Sequence, residues 1–285
     1  MTVKEALRRA TELLAGHDIE DARLESEILL RQVLQLSRVE LYQELDRKLD
    51  PTKARDFKQL VERRLSGEPT AYITGHREFY GLDFQVNRAV LIPRPETELL
   101  VERARALAQD HPPATIADIG TGCGAIAISL AINLPQSRIY ATDISAAALK
   151  VARANCRRHG VSDRVSLFAG DLLAPLPEPV DLIVANLPYV SEAEVTQTKT
   201  PRFEPETALN GGRDGLDQIR RLCCQARTKL QPRGSLLLEI GERQGRLLMS
   251  FLRELLPTAE TELTPDLSGI DRVLRVTLTD EETSP

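Results

Sequence analysis

Residues 115–143 have the sequence TIADIGTGCGAIAISLAINLPQSRIYATD, and this segment is the strongest indicator of the fold. Residues 116–119 are mostly apolar and end in closely spaced glycines, which predicts a buried strand followed by a tight turn. An apolar-periodic run at 125–134 predicts a helix, and residues 138–142 predict a second strand that ends at Asp143. A strand, a crossover helix and a second strand in this order form a parallel βαβ unit.

The same alternation of strands and helices continues toward the end of the chain. Further helices are predicted at 146–159 and 217–230, and further strands at 165–169, 180–185, 235–240 and 273–278. This alternation predicts an α/β fold in which helices cover both faces of a mostly parallel, Rossmann-like sheet.

The first 67 residues have helical periodicity and almost no strand signal. Asp50 and Pro51 predict an N-cap and a first helical residue, and Gly67 predicts a helix end. Positive and negative side chains are nearly balanced in this segment, so a basic nucleic-acid-binding arm is not indicated. Two interpretations stay open: a helical bundle that only stabilises the rest of the chain, or a docking domain for a protein partner.

A hairpin is predicted between the helical segment and the α/β part. Residues 77–80 and 83–86 are short strand-like runs, and residues 99–107 predict a helix that begins after Pro95 and Thr97. The predicted domains are a helical, partner-docking domain at 1–67, a hairpin linker at 68–93 and an α/β domain at 94–285.

Composition indicates an ordinary globular protein. The chain has 285 residues, of which 28% are charged, and its net charge of -5 argues against a surface that attracts phosphate polymers. The first residues lack the apolar core of a secretion signal, and no run approaches the about 20 apolar residues that cross a bilayer. The four cysteines form no C-x-x-C pair and the four histidines form no spaced cluster, which indicates reduced thiols and no metal site. We therefore expect a cytoplasmic protein with no membrane association and no direct nucleic-acid partner.

The turn after the first predicted sheet strand contains Gly120, Thr121, Gly122, Cys123 and Gly124. Its G-x-G-x-G spacing differs from the G-x-G-x-x-G of dinucleotide-binding proteins. Glycines allow the backbone to approach a ligand closely, and a ligand without phosphates does not need a helix N-terminus aimed at it. The spacing therefore favours S-adenosylmethionine as the ligand; the alternative is a plain structural turn.

Acidic residues follow the second and third predicted strands of the sheet. Asp143 can accept hydrogen bonds from both ribose hydroxyls of an adenosine ligand; the alternative is a helix N-cap, a position for which Ser145 competes. Asp171 can accept from the exocyclic amine of adenine while Leu172 packs against the ring; the alternative is ordinary turn chemistry. Because the carboxyl ends of parallel strands meet at one edge of a sheet, we predict a single cofactor site there, which also includes Asn186.

A polar and aromatic tetrapeptide, Asn186-Leu187-Pro188-Tyr189, follows the fully apolar run at 182–185. The side-chain oxygen of Asn186 and the carbonyl of Leu187 are acceptors that can hold both hydrogens of a planar NH₂ group, and Tyr189 can support its plane. Orientation and charge stabilisation would then direct a delocalised lone pair at a methyl donor. We predict that these four residues form the catalytic site; the alternative is a proline turn after a buried strand.

These features resemble the HemK-type protein-glutamine N5-methyltransferases, which modify the glutamine of the Gly-Gly-Gln motif in peptide chain release factors. The resemblance covers nearly the whole chain and extends to Tyr72-Ile73-Thr74-Gly75, Arg77-Glu78-Phe79-Tyr80-Gly81, Leu91-Ile92-Pro93-Arg94-Pro95-Glu96-Thr97-Glu98, Phe203-Glu204-Pro205-Glu206, Gly211-Gly212-Arg213-Asp214-Gly215-Leu216-Asp217 and Asp271-Arg272-Val273. It implies an S-adenosylmethionine-dependent enzyme with a helical N-terminal domain, a hairpin linker and a seven-stranded methyltransferase domain, in which residues 186–189 grip the substrate glutamine.

One departure from the family concerns Leu187, where the usual tetrapeptide is Asn-Pro-Pro-Tyr. The carbonyl acceptor is retained, but the fixed φ of proline is lost, so we expect the chemistry to persist with a less rigid loop. The form Asn-Leu-Pro-Tyr also occurs in enzymes that methylate adenine N6 in ribosomal RNA, and such an enzyme is the main alternative. A non-catalytic protein that binds an adenosine ligand is a third interpretation, against which the intact Asn186 and Tyr189 argue.

Overall fold

The computed structural model describes residues 1–197 and 203–279, so the end of the predicted 94–285 domain lies outside the described residues. The chain forms two compact units, Met1–His76 and Arg77–Pro285. Within the described residues, no helix combines the length and the apolar character that crossing a membrane requires. The His, Cys, Asp and Glu side chains of the same residues form no group that could hold a metal ion.

Helices form the first unit. They are α1 Val3–Ala15, α2 Ala22–Leu34, α3 Arg38–Gln43, α4 Pro51–Leu65 and α5 Thr70–Thr74. As predicted, the Asp50 carboxylate caps α4, since it accepts the backbone N–H groups of Thr52 and Lys53 at 2.8 and 3.3 Å. Gly67, with a φ of +92°, follows the end of the same helix.

Apolar side chains from all five helices form the core of this unit. Fully buried members are Leu14, Leu29, Leu30 and Leu41. The short helix α5 lies in the segment 68–93 and was not predicted; whether that segment acts as a linker stays a prediction.

The second unit begins with the predicted hairpin. Strands β1 His76–Phe79 and β2 Leu82–Gln85 form a two-stranded sheet, and each begins one residue earlier than the sequence pattern indicated. Such a shift is within the usual uncertainty of element boundaries.

The main sheet has seven strands within the described residues, which confirms the predicted fold class. The strands are β3 Thr115–Ile119, β4 Arg138–Asp143, β5 Val165–Ala169, β6 Val180–Ala185, β7 Leu230–Glu239, β8 Glu260–Pro265 and β9 Asp271–Thr277. Their order is β5-β4-β3-β6-β7-β9-β8; β3 to β7 pair in parallel, whereas β9 is antiparallel to both β7 and β8. The helices of this unit are α6 Glu98–Asp110, α7 Ala125–Asn133, α8 Ala146–Arg158, α9 Glu192–Gln197, α10 Asp217–Lys229 and α11 Gly245–Leu255.

Hydrophobic periodicity did not predict β8, which is the seventh strand that the family resemblance implies. This strand lies at the edge of the sheet, and its sequence Glu-Thr-Glu-Leu-Thr-Pro places charged side chains along an exposed edge. Edge strands commonly carry such residues because charges discourage pairing with other chains. Helix α11 was also missed; it begins at Gly245 without a side-chain N-cap.

The order in which the chain adds strands to the sheet reverses between β3 and β6. From β3 the chain proceeds to β4 and β5 on one side, and later to β6 and β7 on the other side. In the register of these neighbours, Ile119 pairs with both Thr142 and Ala185, so the loops after β3, β4 and β6 leave the sheet side by side. Such a topological switch point is where open α/β sheets bind their ligands.

Candidate active site

A cavity of about 600 Å³ opens at this switch point. Eight of the predicted site residues line it: Gly120, Gly122, Asp143, Asp171, Leu172, Asn186, Leu187 and Pro188. Residues from three further segments, 89–91, 205–212 and 217–221, also contribute to the wall, as does Glu192 of α9. The structure therefore brings together residues that are separated by more than one hundred positions in the sequence.

The glycine loop reaches the cavity through two of its five residues. Gly120 has a φ of +73°, and a Cβ there would lie 3.1 Å from the side chain of Leu187. The backbone N–H groups of Gly120 and Thr121 both donate to the Thr142 carbonyl oxygen at 2.9 Å. These bonds join the loop to the end of β4, and the glycine permits close approach to the loop after β6.

The other loop residues, Thr121, Cys123 and Gly124, do not line the cavity. Thr121 Oγ1 donates to Asp118 Oδ2 at 2.6 Å, and the Cys123 carbonyl accepts from Asn155 Nδ2 at 2.8 Å. Burial raises the pKa of the Cys123 thiol to about 12, so the thiol stays protonated at neutral pH. The contacts of Thr121 and Cys123 fix the loop on the side away from the cavity. The assignment of Thr121, Cys123 and Gly124 to cofactor binding stays a prediction.

Asp118 is a fully buried carboxyl group directly before the glycine loop. Its Oδ2 accepts from Thr121 Oγ1 and, at 3.1 Å, from the backbone N–H of Ala127, whereas its Oδ1 has no hydrogen-bond partner in the described residues. Burial raises its pKa to about 7, and the nearby charge of Asp143 acts in the same direction.

Replacing Asp118 with asparagine is expected to stabilise the protein increasingly as the pH rises from about 4 to about 7, and by a constant amount above that. The folded pKa of about 7 lies above the roughly 3.9 of an unfolded aspartate, so ionisation destabilises the fold across this interval. Asparagine retains an acceptor oxygen and carries no charge. We expect a gain of about 1–3 kcal/mol in the free energy of unfolding near pH 8, measured by urea denaturation. The exposed Asp83→Asn serves as the control. If Asp118→Asn raised the free energy of unfolding by the same amount near pH 5 and near pH 8, this account would be contradicted.

Asp143 ends β4 and faces the cavity. Its Oδ2 accepts from the Gly122 backbone N–H at 2.9 Å, and its Oδ1 accepts from the Ser145 N–H at 2.8 Å. Burial raises its pKa. The N-cap of α8 is Ser145, whose Oγ accepts from the Ala148 N–H at 3.1 Å. Asp143 is therefore not the cap, and each carboxylate oxygen retains lone-pair capacity for a ligand.

Asp171 and Leu172 lie next to each other on the cavity wall after β5. The Asp171 carboxylate forms an ion pair with Arg221 of α10, which also lines the cavity. The backbone of Leu172 is held in the left-handed region (φ +49°), and its carbonyl accepts from Thr142 Oγ1 at 2.9 Å. The loop after β5 is thus anchored to β4 on one side and to α10 on the other.

The cavity-wall residues that sequence reasoning missed include Ile144 and Arg221. Ile144 is 72% exposed, which is unusual for a large apolar side chain. An apolar residue between a predicted ligand-binding aspartate and an N-cap serine is a signal that could have identified it. Arg221 lies within the helical pattern of α10 and gives no such signal in the sequence.

Part of the tetrapeptide 186–189, which follows β6, faces the cavity, and the rest is buried in the interior. Asn186, Leu187 and Pro188 line the cavity, and Asn186 Nδ2 donates to Thr97 Oγ1 at 2.9 Å. Tyr189 does not line the cavity; its hydroxyl donates to Glu239 Oε1 at 3.1 Å, and burial together with this carboxylate raises the pKa of the phenol. The predicted role of the Tyr189 ring in supporting the substrate plane stays a prediction.

Close packing constrains the backbone of this tetrapeptide. A Cβ at Gly211 would lie 2.5 Å from the Pro188 carbonyl oxygen, and one at Gly215 would lie 2.2 Å from the Tyr189 carbonyl oxygen. Gln244 Nε2 also donates to the Tyr189 carbonyl at 2.8 Å. The glycines of the Gly-Gly-Arg-Asp-Gly segment therefore permit a backbone contact with residues 188–189 that no other residue type would allow.

Several known proteins that are similar to this chain over nearly its whole length are release factor glutamine methyltransferases. The family model described as the PrmC N-terminal domain matches residues 5–75, and the model described as the methyltransferase small domain matches residues 95–208. A release factor glutamine methyltransferase of Moorella thermoacetica is 45% identical over 274 residues, which cover 95% of this chain and 97% of that protein. Another from Koribacter versatilis is 40% identical over 279 residues, covering 96% and 98% of the two chains.

Among solved structures, the catalytic domain of hMettl16 in complex with MAT2A 3'UTR hairpin 6 is similar with a TM-score of 0.56. It is 17% identical, and the match covers 81% of this chain and 82% of that one. At this identity the similarity concerns the fold alone.

Proposed function

Since this chain belongs to the family of release factor glutamine methyltransferases, we propose that it transfers a methyl group from S-adenosylmethionine to a release factor. The acceptor atom is the side-chain amide nitrogen N5 of the glutamine in the Gly-Gly-Gln motif. The observation that carries the proposal is the placement of Asn186, which lines the cavity while its Nδ2 is engaged by Thr97. This leaves Oδ1 as an acceptor for a substrate amide. A release factor substrate also places the reaction in the cytoplasm.

The size of the cavity and the hydrogen-bond acceptors on its wall fit S-adenosylmethionine. Its volume of about 600 Å³ lies within the range of roughly 300–1,000 Å³ of small-molecule sites. The two oxygens of Asp143 would accept the ribose hydroxyls, and Ile144 and Leu172 would offer apolar surface to adenine. Gly120 and Gly122 keep side chains away from the methionine moiety. When bound, this cofactor supplies a methyl carbon attached to a positively charged sulfur.

Two acceptors orient the substrate amide. Asn186 Oδ1 and the Leu187 carbonyl oxygen each accept a hydrogen bond from one N–H of its NH₂ group. The lone pair of an amide nitrogen is delocalised, so this nitrogen is a weak nucleophile. Positive charge would develop on it as it accepts the methyl group, and the two acceptors would stabilise that charge. The nitrogen then releases one proton to water, which leaves an N-methylated amide. These groups act by orientation and electrostatics, without a general base.

The helical unit Met1–His76 would provide the docking surface for the release factor. It is a compact unit by itself, and the family model for the N-terminal domain covers almost all of it. A partner-specific domain of this kind would account for the selection of one glutamine among many.

The charge of the cavity wall disfavours the alternative of adenine methylation in ribosomal RNA. Acidic side chains dominate the described lining: Asp143, Asp171, Glu192, Glu206 and Asp217, with Arg221 as the basic residue among them. Arg221 is itself paired with Asp171. RNA-binding sites generally present basic residues to the phosphate backbone, so this wall fits a neutral peptide segment and a cationic cofactor better.

Incubation of the full chain with methyl-labelled cofactor and either a release factor or ribosomal RNA tests the function. We expect label in the release factor and a mass increase of one methyl group on the peptide that contains the Gly-Gly-Gln motif. A release factor with asparagine in place of that glutamine is the matched control and should stay unlabelled. Label in the RNA, or in the control protein at the same level, would refute the proposal.

A further inference from the structure

Two segments that belong to the family resemblance meet beside the cavity. Residues 91–98 lead into α6, and residues 203–206 lie far from them in the sequence, before α10. Leu91 of the first segment and Pro205 of the second both line the cavity. Contacts between the two segments therefore help to determine the shape of this part of the cavity wall.

The carboxylate of Glu204, whose side chain is 1% exposed, joins these two segments. Its Oε1 accepts from the backbone N–H of Ile92 at 3.1 Å, and its Oε2 accepts from Arg94 Nη2 at 2.6 Å. A second contact joins the same segments, since the guanidinium carbon of Arg88 lies 5.1 Å from the centre of the Phe203 ring. Burying a carboxylate is costly unless hydrogen-bond donors and an opposite charge compensate it. Glu204 has both, and they determine where its carboxylate lies.

The segment 91–94 is not part of a helix or a strand. Its Pro93, and Pro95 after it, have no backbone N–H to donate. Ile92 is buried, so its N–H group requires an acceptor inside the protein. Glu204 supplies this acceptor. The carboxylate therefore fixes the segment directly before the turn that leads into α6.

Hydrogen bonds connect Arg94 with the tetrapeptide 186–189. The Arg94 carbonyl oxygen accepts from the backbone N–H of Thr97 at 3.1 Å, and this bond closes the turn between them. Thr97 Oγ1 accepts from Asn186 Nδ2 at 2.9 Å. Arg94, Thr97 and Glu204 do not line the cavity, so they can influence the reaction only through residues that do.

We propose that Glu204 is a positioning residue for the reaction. By holding Arg94 it fixes the turn that ends in Thr97, and this turn holds the Asn186 side chain at the cavity, where Oδ1 accepts from the substrate NH₂ group. This inference rests on the proposed function, because it assigns Glu204 an effect on methyl transfer that acts through Asn186.

The expected size of the effect follows from the geometry that methyl transfer needs. A reacting group that is misplaced by about 1 Å can lower a rate about 100-fold, even when the change that misplaces it lies outside the site. Asn186 acts by orientation, so its rate contribution depends on where Thr97 holds it. Loss of the Glu204 contacts should therefore reduce the rate of methyl transfer more than the binding of the cofactor.

The first test is Glu204→Gln. Glutamine has nearly the same shape but offers one oxygen and one NH₂ group, so it cannot accept from both the Ile92 N–H and Arg94. One of these donors would then face another donor, and the segment 91–94 would shift. We expect kcat for release factor methylation to fall about 10- to 100-fold. The Kd for S-adenosylmethionine should stay within about three-fold, because Asp143 is held by its own contacts after β4.

Asp181→Asn is the matched control. Asp181 lies near the start of β6, its Oδ2 accepts from the backbone N–H and the hydroxyl of Thr115 at 2.8 and 3.0 Å, and it does not line the active-site cavity. This variant also removes the charge of a carboxylate that holds backbone, but it should keep kcat within about two-fold of the wild type. A loss of kcat as large as that in Glu204→Gln would overturn the positioning role.

A double-mutant cycle separates an effect through Asn186 from a general effect on the fold. Asn186→Ala already lacks the acceptor oxygen, so adding Glu204→Gln should lower kcat by no more than about two-fold further in single-turnover kinetics. Two independent effects would multiply instead, and the double variant would then be slower by the full factor that Glu204→Gln shows alone. Such multiplication would also overturn the inference.

Variants of Arg94 test the same ion pair from its other partner. Arg94→Lys retains a charged donor for Glu204 Oε2, whereas Arg94→Met keeps an unbranched side chain without a donor. We expect Arg94→Met to lose about as much kcat as Glu204→Gln, and Arg94→Lys to be at least about three-fold faster than Arg94→Met. A wild-type kcat in Arg94→Met, or equal losses in both Arg94 variants, would contradict the positioning role.

The outcomes distinguish this inference from the proposed function. If the wild type does not methylate a release factor, the proposed function fails and the inference falls with it. If the wild type is active and Glu204→Gln keeps kcat within about two-fold, only the positioning role is overturned. Circular dichroism and the Tm of each variant give the folded fraction by which kcat is corrected. If Glu204→Gln does not fold, the comparison of Arg94→Met with Arg94→Lys decides in the same way.

Discussion

Asn186→Ala is expected to lower kcat for release factor methylation about 10³-fold, while the Kd for S-adenosylmethionine changes by no more than a few-fold. Asn186 lines the cavity and is held by Thr97 through Nδ2. Its Oδ1 is one of two acceptors for the substrate amide, and alanine removes it. The loss appears in kcat because this contact is strongest when positive charge develops on the nitrogen.

Single-turnover kinetics with a release factor and calorimetry with the cofactor measure these two quantities separately. Asn133→Ala is a matched control: Asn133 ends α7, its Nδ2 donates to the Ser129 carbonyl at 2.8 Å, and it does not line the cavity. Turnover by Asn186→Ala at the wild-type rate would contradict the assigned role. An equal loss in both variants would point to a general effect on the fold.

Asp143→Ala is expected to raise the Kd for S-adenosylmethionine about 100-fold, which corresponds to roughly 3 kcal/mol for two hydrogen bonds to a charged group. The carboxylate accepts the N–H groups of Gly122 and Ser145 and retains lone pairs for the ribose hydroxyls. Its removal eliminates these contacts and also releases Gly122 from the end of β4. Because Asp143 does not contact the substrate amide, kcat at saturating cofactor should change little.

Titration calorimetry with the cofactor checks this expectation, and Ser145→Ala provides the comparison. Ser145 caps α8, so its alanine variant should lose about 0.5–2 kcal/mol of stability while the Kd stays within a few-fold. An Asp143→Ala variant that binds the cofactor with wild-type affinity would show that the carboxylate has only a structural role.

Local sequence patterns identified the five parallel strands and the glycine loop, although β7 begins at Leu230, five residues before the predicted start at 235. The strands β5 and β6 begin and end where the pattern predicted. The strand β6 is a largely buried apolar run, and the edge strand β5 is also mostly apolar and is bounded by turn residues. The strand β8 could not be found in this way, since an edge strand is mostly polar and its pairing depends on β9. Family resemblance supplied the seventh strand that periodicity did not.

The same division applies to the site. Residue type and position after a strand indicated Asp143 and Asn186, because polar residues at the carboxyl ends of parallel strands meet at one edge. Thr97 lies 89 residues from Asn186, and Glu239 lies 50 residues from Tyr189. Their contacts depend on how α6 and β7 pack against β6, and no local pattern carries that information. Packing also decided which residues of the glycine loop face the cavity. It likewise decided which end of the Asn186 amide is held, because the direction of a hydrogen bond depends on the neighbouring groups in the folded protein and not on one residue.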